Sequence, residues 1–176
     1  MISNSVDGLA GTANPGNGGA LHISGTTTTT IVNTTVTNNR AASEGGGLWN
    51  QVGSMMEVDS STFDGNVADG DAADNGGGAI FNNGGSLMVQ NGTTITNNFA
   101  TGTAGSGGGI QNVDGGTVVV NNTDISNNSA NRAGGGIEDN IKRIIPKGLV
   151  ANINLRLGGG SSKVFNNAFD ASSVRD

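Results

Sequence analysis

Apolar residues occur along this chain in short stretches, where they alternate with polar residues. Residues 117–126, TVVVNNTDIS, show the pattern: Val118, Val120 and Ile125 are separated by positions that can face water, and β-branched residues dominate. No stretch has the sustained periodicity of an amphipathic helix. The pattern therefore predicts strands, each only a few residues long.

The strand pattern repeats. Four segments, 18–39, 45–66, 77–98 and 107–128, align over 22 columns without a gap, at spacings of 27, 32 and 30 residues. A fifth segment begins near residue 134. The length changes only between the end of one segment and the start of the next, which predicts variable loops at 42–46, 69–76 and 101–108.

Equivalent positions in the repeats hold the same kind of residue. The aligned columns are Leu21, Leu48, Ile80 and Ile110; Val36, Phe63, Ile95 and Ile125; Asn39, Asn66, Asn98 and Asn128; and Ala41, Ala68, Ala100 and Ala130. Coils stacked about 4.8 Å apart place each residue over its equivalent in the next coil. Apolar columns then fill the interior, and alanine fits a tight corner. Stacked asparagines pass amide hydrogen bonds between coils and accommodate the left-handed backbone of a turn.

Each repeat contains about three strand-sized pieces, which is too few for a propeller blade and fits one turn of a three-sided solenoid. The predicted fold is an all-β, right-handed, three-sided parallel β-helix over residues 1–140, followed by a divergent C-terminal cap or tail at 141–176. Residues 1–7 look like the end of a coil, with Ile2 in the Val36 column and Ser5 in the Asn39 column. The array is therefore expected to start within a repeat, as a fragment of a larger protein would.

The segments GGAIFNN, TTITNNFA and VVVNNTDISNNSA resemble the repeats of polymorphic outer-membrane proteins. They also resemble the pectin-lyase-like β-helix repeats of bacterial surface proteins. The resemblance covers about residues 18–140 and implies an extracellular or cell-surface location. It does not imply one activity, because this architecture carries adhesins, passenger domains, polysaccharide lyases and spacers.

Composition and charge narrow the choice of partner. The chain has 32 Gly and 25 Asn against 3% aromatic residues, which favours many tight turns and a thin core. Residues 1–140 carry 12 acidic and 2 basic side chains, so we expect no nucleic-acid partner. Cysteine is absent, and no apolar run is long enough to span a bilayer. Residues 1–20 lack the order of a signal peptide, so an export signal is expected outside this chain.

Candidate catalytic groups are sparse, and we predict no enzymatic activity. A polysaccharide lyase needs cations or calcium to neutralise substrate carboxylates, yet Arg40 and Arg132 are the only cations of the array and lie three coils apart. The runner-up function is nevertheless a polysaccharide lyase or hydrolase acting along one sheet face, since Asp59 and Asp64 belong to one coil.

Two groups of residues are candidate ligand sites. Asp69, Asp71 and Asp74 have an Asp-x-Asp spacing that could present oxygen ligands to calcium, and no other cofactor is expected. Trp49 follows the core position Leu48, so its ring is predicted to face outward, where it could stack on a sugar. His22, the only histidine, is predicted to be a surface residue.

Threonine supplies a third candidate surface. The residues that form two outward columns are Thr35, Thr62 and Thr94, and Thr37 and Thr96 two positions further on. Such an array could order water as ice-binding solenoids do, although Asp64 and Asp124 interrupt it. The favoured function is a structural or adhesive shaft that displays its variable loops to a protein or glycan on a cell surface. End-to-end self-association through uncapped strand edges is a further expectation.

Overall fold

The computed structural model describes residues 1–6, 16–140, 155–157, 163–165 and 168–169, and these residues contain no helix. In chain order the strands are β1 (Ser5–Val6), β2 (Leu21–Ile23), β3 (Thr28–Val32), β4 (Thr35–Thr37), β5 (Arg40–Ala41), β6 (Leu48–Gln51), β7 (Met55–Asp59), β8 (Thr62–Asp64), β9 (Val67–Ala68), β10 (Ile80–Asn83), β11 (Ser86–Gln90), β12 (Thr94–Thr96), β13 (Phe99–Ala100), β14 (Ile110–Val113), β15 (Thr117–Val120), β16 (Asp124–Ser126), β17 (Ser129–Ala130), β18 (Ile137–Asn140), β19 (Leu155–Leu157), β20 (Lys163–Phe165) and β21 (Ala168–Phe169).

Every fourth strand pairs with its equivalent, and all the pairs are parallel. The first sheet contains β2, β6, β10, β14 and β18, the second β3, β7, β11, β15 and β19, the third β4, β8, β12, β16 and β20, and the fourth β1, β5, β9, β13, β17 and β21. The chain therefore winds as a parallel β-solenoid of about four full turns, which confirms the predicted fold class. The strands of the fourth sheet that the structure describes are only two residues long, too short for an alternation pattern to show. The right-handed sense and the three-sided cross-section remain predictions.

The predicted interior columns are confirmed by the strand register. Leu48 pairs with Leu21 on one side and with Ile80 on the other. Phe63 lies between Val36 and Ile95, and the alanine column runs through Ala68 in the same way. The members of these columns are fully buried in the middle coils. Equivalent positions of successive coils therefore stack along the axis and fill a thin core.

The ungapped alignment of the repeats is wrong in the second sheet of the third coil. It aligns Leu87 with Met55, whereas the structure pairs Leu87 with Met56 and Ser86 with Met55. The turn before β11 is one residue shorter than in the neighbouring coils, and the turn after it is one residue longer. This compensation keeps Leu87 and Val89 inside the core, because a one-residue slip would turn both outward.

The predicted asparagine ladder is present and runs in one direction. The Nδ2 atom of each asparagine donates to Oδ1 of the next: Asn39 to Asn66, Asn66 to Asn98 and Asn98 to Asn128, each at 2.9 Å. The same Oδ1 atoms also accept the backbone N–H of the preceding asparagine at 2.9–3.0 Å. The ladder therefore satisfies buried backbone groups as well as its own amides.

The left-handed backbone is not in the ladder itself, contrary to the prediction. It belongs to the residue before each ladder asparagine, namely Asn38, Gly65, Asn97 and Asn127, where φ is between 53° and 66°. Two neighbouring positions therefore divide the two tasks. The first makes the tight turn, and the second places its amide in the core.

The N-terminal residues extend the ladder by one step, with a register one residue away from the predicted one. Asn4 donates from Nδ2 to Asn39 Oδ1 at 2.8 Å, whereas Ser5 pairs with Arg40 and Ile2 bridges to Thr37. The placement of Ser5 in the Asn39 column was therefore wrong.

The glycine clusters let adjacent coils approach closely. Gly77, the second glycine of the cluster at 76–78, has a φ of 64°, a conformation that other residues rarely adopt. A Cβ atom on the next residue, Gly78, would lie 2.5 Å from the backbone nitrogen of Phe99. Any side chain there would push the fourth sheet away from the turn.

Within the predicted cap or tail, strand β19 (Leu155–Leu157) pairs with β15 and continues the second sheet. Strands β20 and β21 likewise continue the third and fourth sheets. The remainder of the predicted cap at 141–176 lies outside the described residues, and the boundary at residue 140 stays a prediction.

Candidate functional site

The variable loops fold back over the outer face of the first sheet. The outward column of this sheet is His22, Trp49, Phe81, Gln111 and Glu138. Gln111 is fully buried, and its Nε2 atom donates to the carbonyl oxygen of Asp74 in the second variable loop at 3.1 Å. The loops therefore leave mainly their tips exposed, at residues 71–73 and at Thr101 and Thr103.

Trp49 lies in the outward column, as predicted, but it is only 4% exposed. It packs with Phe81 and Val113, and the ring of His22 stacks on it with centroids 4.2 Å apart and an interplanar angle of 14°. His22 itself is exposed, as expected. One face of the indole is thus occupied by the imidazole, which leaves little ring surface for a sugar.

Glu44 links loops from three coils. Its carboxylate accepts the indole N–H of Trp49 at 3.0 Å, the Asn17 amide at 3.2 Å and the Asn75 amide at 3.4 Å. Hydrogen bonds to an ionised acceptor are stronger than those between neutral groups. Glu44 therefore fixes the loops against the first sheet.

The three aspartates of the predicted calcium site have separate protein partners. Asp71 Oδ1 accepts the backbone N–H and the hydroxyl of Thr103 at 2.8 and 2.9 Å, and these bonds hold the pKa of Asp71 below its usual value. Asp74 accepts the Asn140 amide at 3.0 Å, and Asp69 pairs with an arginine. Within the described residues, no three His, Cys, Asp or Glu side chains form a group that could hold a metal ion. Calcium binding by Asp69, Asp71 and Asp74 stays a prediction.

Both arginines of the described array are bound to groups of the chain itself. Arg40 Nε lies 2.7 Å from Asp69 Oδ2. Arg132 donates to the Ala73 carbonyl at 2.9 Å and lies 3.8 Å from a carboxylate oxygen of Glu138. Burial raises the pKa of Glu138, and the charge of Arg132 counteracts that increase. Neither cation points into a shared site where it could neutralise a substrate carboxylate.

The carboxylates of the candidate hydrolase pair accept hydrogen bonds from the following coil. Asp59 accepts the Ser60 hydroxyl at 2.6 Å and the amides of Asn91 and Gln90, and these bonds lower its pKa. Asp64 accepts the Asn97 amide at 2.8 Å. A general acid at neutral pH requires a raised pKa, so the surroundings of Asp59 oppose that role.

The threonine columns have the predicted register. Thr62 pairs with Thr35 and with Thr94 in the neighbouring coils, and Asp64 lies between Thr37 and Thr96. The flat array on the third sheet is therefore three threonines long in one column and broken by a carboxylate in the other. Ice binding by this face stays a prediction.

Sequence reasoning missed a second amide ladder inside the first sheet. Nδ2 of Asn50 donates to Asn82 at 2.8 Å, Asn82 donates to Asn112 at 2.7 Å, and Asn112 donates to Asp139 at 2.9 Å. The signal was the fourth position of GLWNQ, AIFNN and GIQNV, where asparagine recurs two residues after each core aliphatic residue. Both ladders join successive coils along the solenoid axis.

Sequence reasoning also missed a groove at the corner between the first and second sheets, which we call the first-corner groove. It has a volume of about 550 Å³ and is lined by residues 26–28, 53–55 and 84–86 of three successive coils. It lies where the turn before β11 is one residue short, and two glycines, Gly84 and Gly85, form that turn. Its volume is in the range of small-molecule and peptide side-chain sites.

Comparison with known families gives a match over part of the repeat array. Residues 33–51 and 60–83 match the model of the Chlamydia polymorphic membrane protein repeat. Each matched segment runs from the corner after the second sheet, through a ladder asparagine and a glycine cluster, into the next strand of the first sheet. No curated protein and no solved structure gives a significant match to the chain.

The parallel pairing and the asparagine ladder agree with that family match. Among the described residues, no helix is long and apolar enough to cross a membrane. The chain thus carries repeats like those of the polymorphic membrane proteins, wound into a parallel β-solenoid.

Proposed function

We propose that this chain is a non-catalytic adhesive or structural segment of a secreted or surface-exposed protein. It acts as a stiff shaft that presents loop tips and corners to a protein or glycan. The matched repeat, which is that of a membrane protein family, supports a location at the cell surface. The exposed tips at residues 71–73 and at Thr101 and Thr103 are one surface available to a partner.

The proposal rests on the hydrogen bonds that the polar side chains make within the chain. Two ladders of buried amides run through successive coils, and the carboxylates of Glu44, Asp59, Asp64 and Asp71 accept hydrogen bonds from their own chain. A catalytic acid or base must also have an atom within hydrogen-bond reach of its substrate. Side chains that are held by hydrogen bonds within the chain favour a rigid structural role over a catalytic one.

The test combines adhesion with activity. Beads coated with the full chain are expected to bind cells or a subset of a glycan array, whereas polygalacturonate and alginate incubated with the chain are expected to stay intact. Product formation that scales with protein concentration would establish the runner-up, a lyase or hydrolase. Failure to bind any cell type or glycan would leave only the structural role.

A further inference from the structure

The first-corner groove is bordered by an exposed apolar surface, which we call the methionine patch and define as Val52, Met55 and Met88. Their side chains are 59%, 48% and 38% exposed. Met55 lines the groove itself. Solvent-exposed methionines on a protein surface adapt their shape to a partner and favour contact with apolar side chains.

The three patch residues are neighbours in the fold. Val52 lies in the turn before β7, and a Cβ atom on Gly84 would be 3.1 Å from the Val52 Cβ. Met88 is one coil from Met55 and two positions further along the strand, since Ser86 pairs with Met55. Strand geometry turns Met55 and Met88 to the same outer face of the second sheet. The apolar surface is therefore continuous across two coils.

Acidic groups flank the patch on two sides. Glu57 pairs with Met88 across the sheet, so its carboxylate belongs to the same outer column. Asp114 is exposed at the same corner of the next coil, and its carbonyl oxygen is 3.4 Å from the position of a Cβ on Gly84. The two arginines of residues 16–140 are bound elsewhere: Arg40 pairs with Asp69, and Arg132 donates to Ala73 in the second variable loop. Within residues 16–140, the charged groups beside the patch are therefore acidic, and Arg156 follows two coils beyond Met88 in the same column.

We propose that the methionine patch and the first-corner groove dock a short basic segment of a partner protein. An apolar side chain of that segment enters the groove beside Met55, and Lys or Arg residues on either side of it pair with Glu57 and Asp114. This inference rests on the adhesive function proposed above and adds the chemistry of the partner. Charge complementarity selects the occupant, because anionic glycans, nucleic acids and anionic membranes are repelled.

A neutral oligosaccharide is the competing occupant. The hydroxyls of Thr26, Thr27 and Ser86 border the groove and could bind sugar hydroxyls. A neutral sugar can donate hydroxyl hydrogen bonds to the flanking carboxylates, but it offers no apolar side chain to cover Val52 and Met88. The apolar surface between two acids fits an apolar side chain between two cations better.

The experiment uses the full chain and a synthetic blocked nine-residue peptide, with a central Leu flanked by Arg on both sides in a Gly and Ser frame. Two control peptides carry Glu in place of Arg, or Ser in place of Leu. Calorimetric titration is expected to detect binding of the first peptide, with at least ~10-fold weaker binding of each control, since each control removes a desolvated anchor or a charge pair. Added salt is expected to weaken the binding.

Matched variants locate the site. Met55→Ser and Glu57→Gln are both expected to weaken peptide binding, and Glu57→Gln is also expected to reduce its dependence on salt. Val32→Ser is the control, because Val32 is 48% exposed on the same sheet but lies outside the patch. All three positions are outside the core, so unchanged circular dichroism and melting temperature show that the fold is intact.

A photo-crosslinker placed at Val52 identifies the occupant. An adduct with the mass of the chain plus the peptide supports the proposal. A crosslink within the chain itself, equal binding of the Glu-containing peptide, or equal losses in Met55→Ser and Val32→Ser would overturn it. Binding of neutral oligosaccharides that displaces the peptide would also overturn it. If Met55→Ser loses the peptide but beads still adhere to cells, adhesion uses another surface and only this inference fails.

Discussion

Replacing Asn66 by alanine tests the asparagine ladder in its middle. The side chain of Asn66 takes part in four hydrogen bonds. Its Oδ1 accepts the backbone N–H and the Nδ2 of Asn39, and its Nδ2 donates to the carbonyl oxygen of Val36 and to Asn98 Oδ1. Asn39, Asn66 and Asn98 are completely buried, so water cannot replace these contacts without opening the corner.

The expected loss of stability follows from the hydrogen bonds that each partner of Asn66 loses. The backbone N–H of Asn39 loses its side-chain acceptor, and leaving a buried donor unsatisfied costs about 1–3 kcal/mol. Each of the other three hydrogen bonds contributes about 0.5–1.5 kcal/mol, and Asn98 Oδ1 keeps the backbone N–H of residue 66 as a donor. We therefore expect Asn66→Ala to lower the free energy of unfolding by about 2.5–7.5 kcal/mol, a large part of the roughly 5–15 kcal/mol typical of a domain.

The assay is urea unfolding followed by circular dichroism and by the fluorescence of Trp49, the only tryptophan, which lies in the same coil. Asn4→Ala is the matched control, because among the described residues the Asn4 side chain makes one ladder bond, to Asn39 at 2.8 Å. Its expected cost is about 0.5–1.5 kcal/mol. Equal losses in the two variants, or a loss below about 1 kcal/mol for Asn66→Ala, would refute the reasoning that the ladder supports buried backbone.

Further variants test other parts of the shaft. Gly78→Ala is expected to unfold the protein or lower its melting temperature sharply, because the added methyl group meets the Phe99 backbone at 2.5 Å; the melting curve checks this. Glu44→Ala is expected to shift Trp49 emission to longer wavelength as the loops loosen, and an unchanged spectrum would contradict the role given to this carboxylate. Asp59 has a lowered pKa, so its contribution to stability is present above the unfolded value near 3.8 and is lost as the pH falls through the folded value. Asp59→Asn should therefore be less stable than the native chain at about pH 6, and the difference should shrink as the pH falls below 3.8 in acid-unfolding curves. Titration with millimolar calcium that produces no heat would remove the predicted site at Asp69, Asp71 and Asp74.

The columns of the solenoid could be predicted because stacking imposes the same environment on every coil. A buried aliphatic such as Leu48 has a counterpart directly above and below it, so the residue type recurs at that position in the sequence. The alanine column and the ladder asparagines were recognisable for the same reason. A position that is surrounded by the equivalent positions of neighbouring coils can be recognised from one sequence.

Features that depend on other parts of the coil were not predictable in this way. The register of β11 is shifted by one residue, and only the burial of Leu87 and Val89 reveals it. The loops cover Trp49 through contacts such as that with Glu44, whose position follows from a loop path and not from a repeat. The groove lies at a turn that is one residue short, and the ungapped alignment over 22 columns did not show this missing residue.

The uniform direction of the amide ladders bears on how such a shaft can change length. In the ladder of Asn39, Asn66, Asn98 and Asn128, each coil offers a donor to the coil that follows and an acceptor to the coil that precedes, so these junctions are chemically equivalent. A duplicated coil inserted at such a junction would meet an amide acceptor on one side and an amide donor on the other. A coil inserted with the opposite chain direction would place amide donors opposite amide donors. Shafts of this design can therefore lengthen or shorten by whole windings without redesign of the interior.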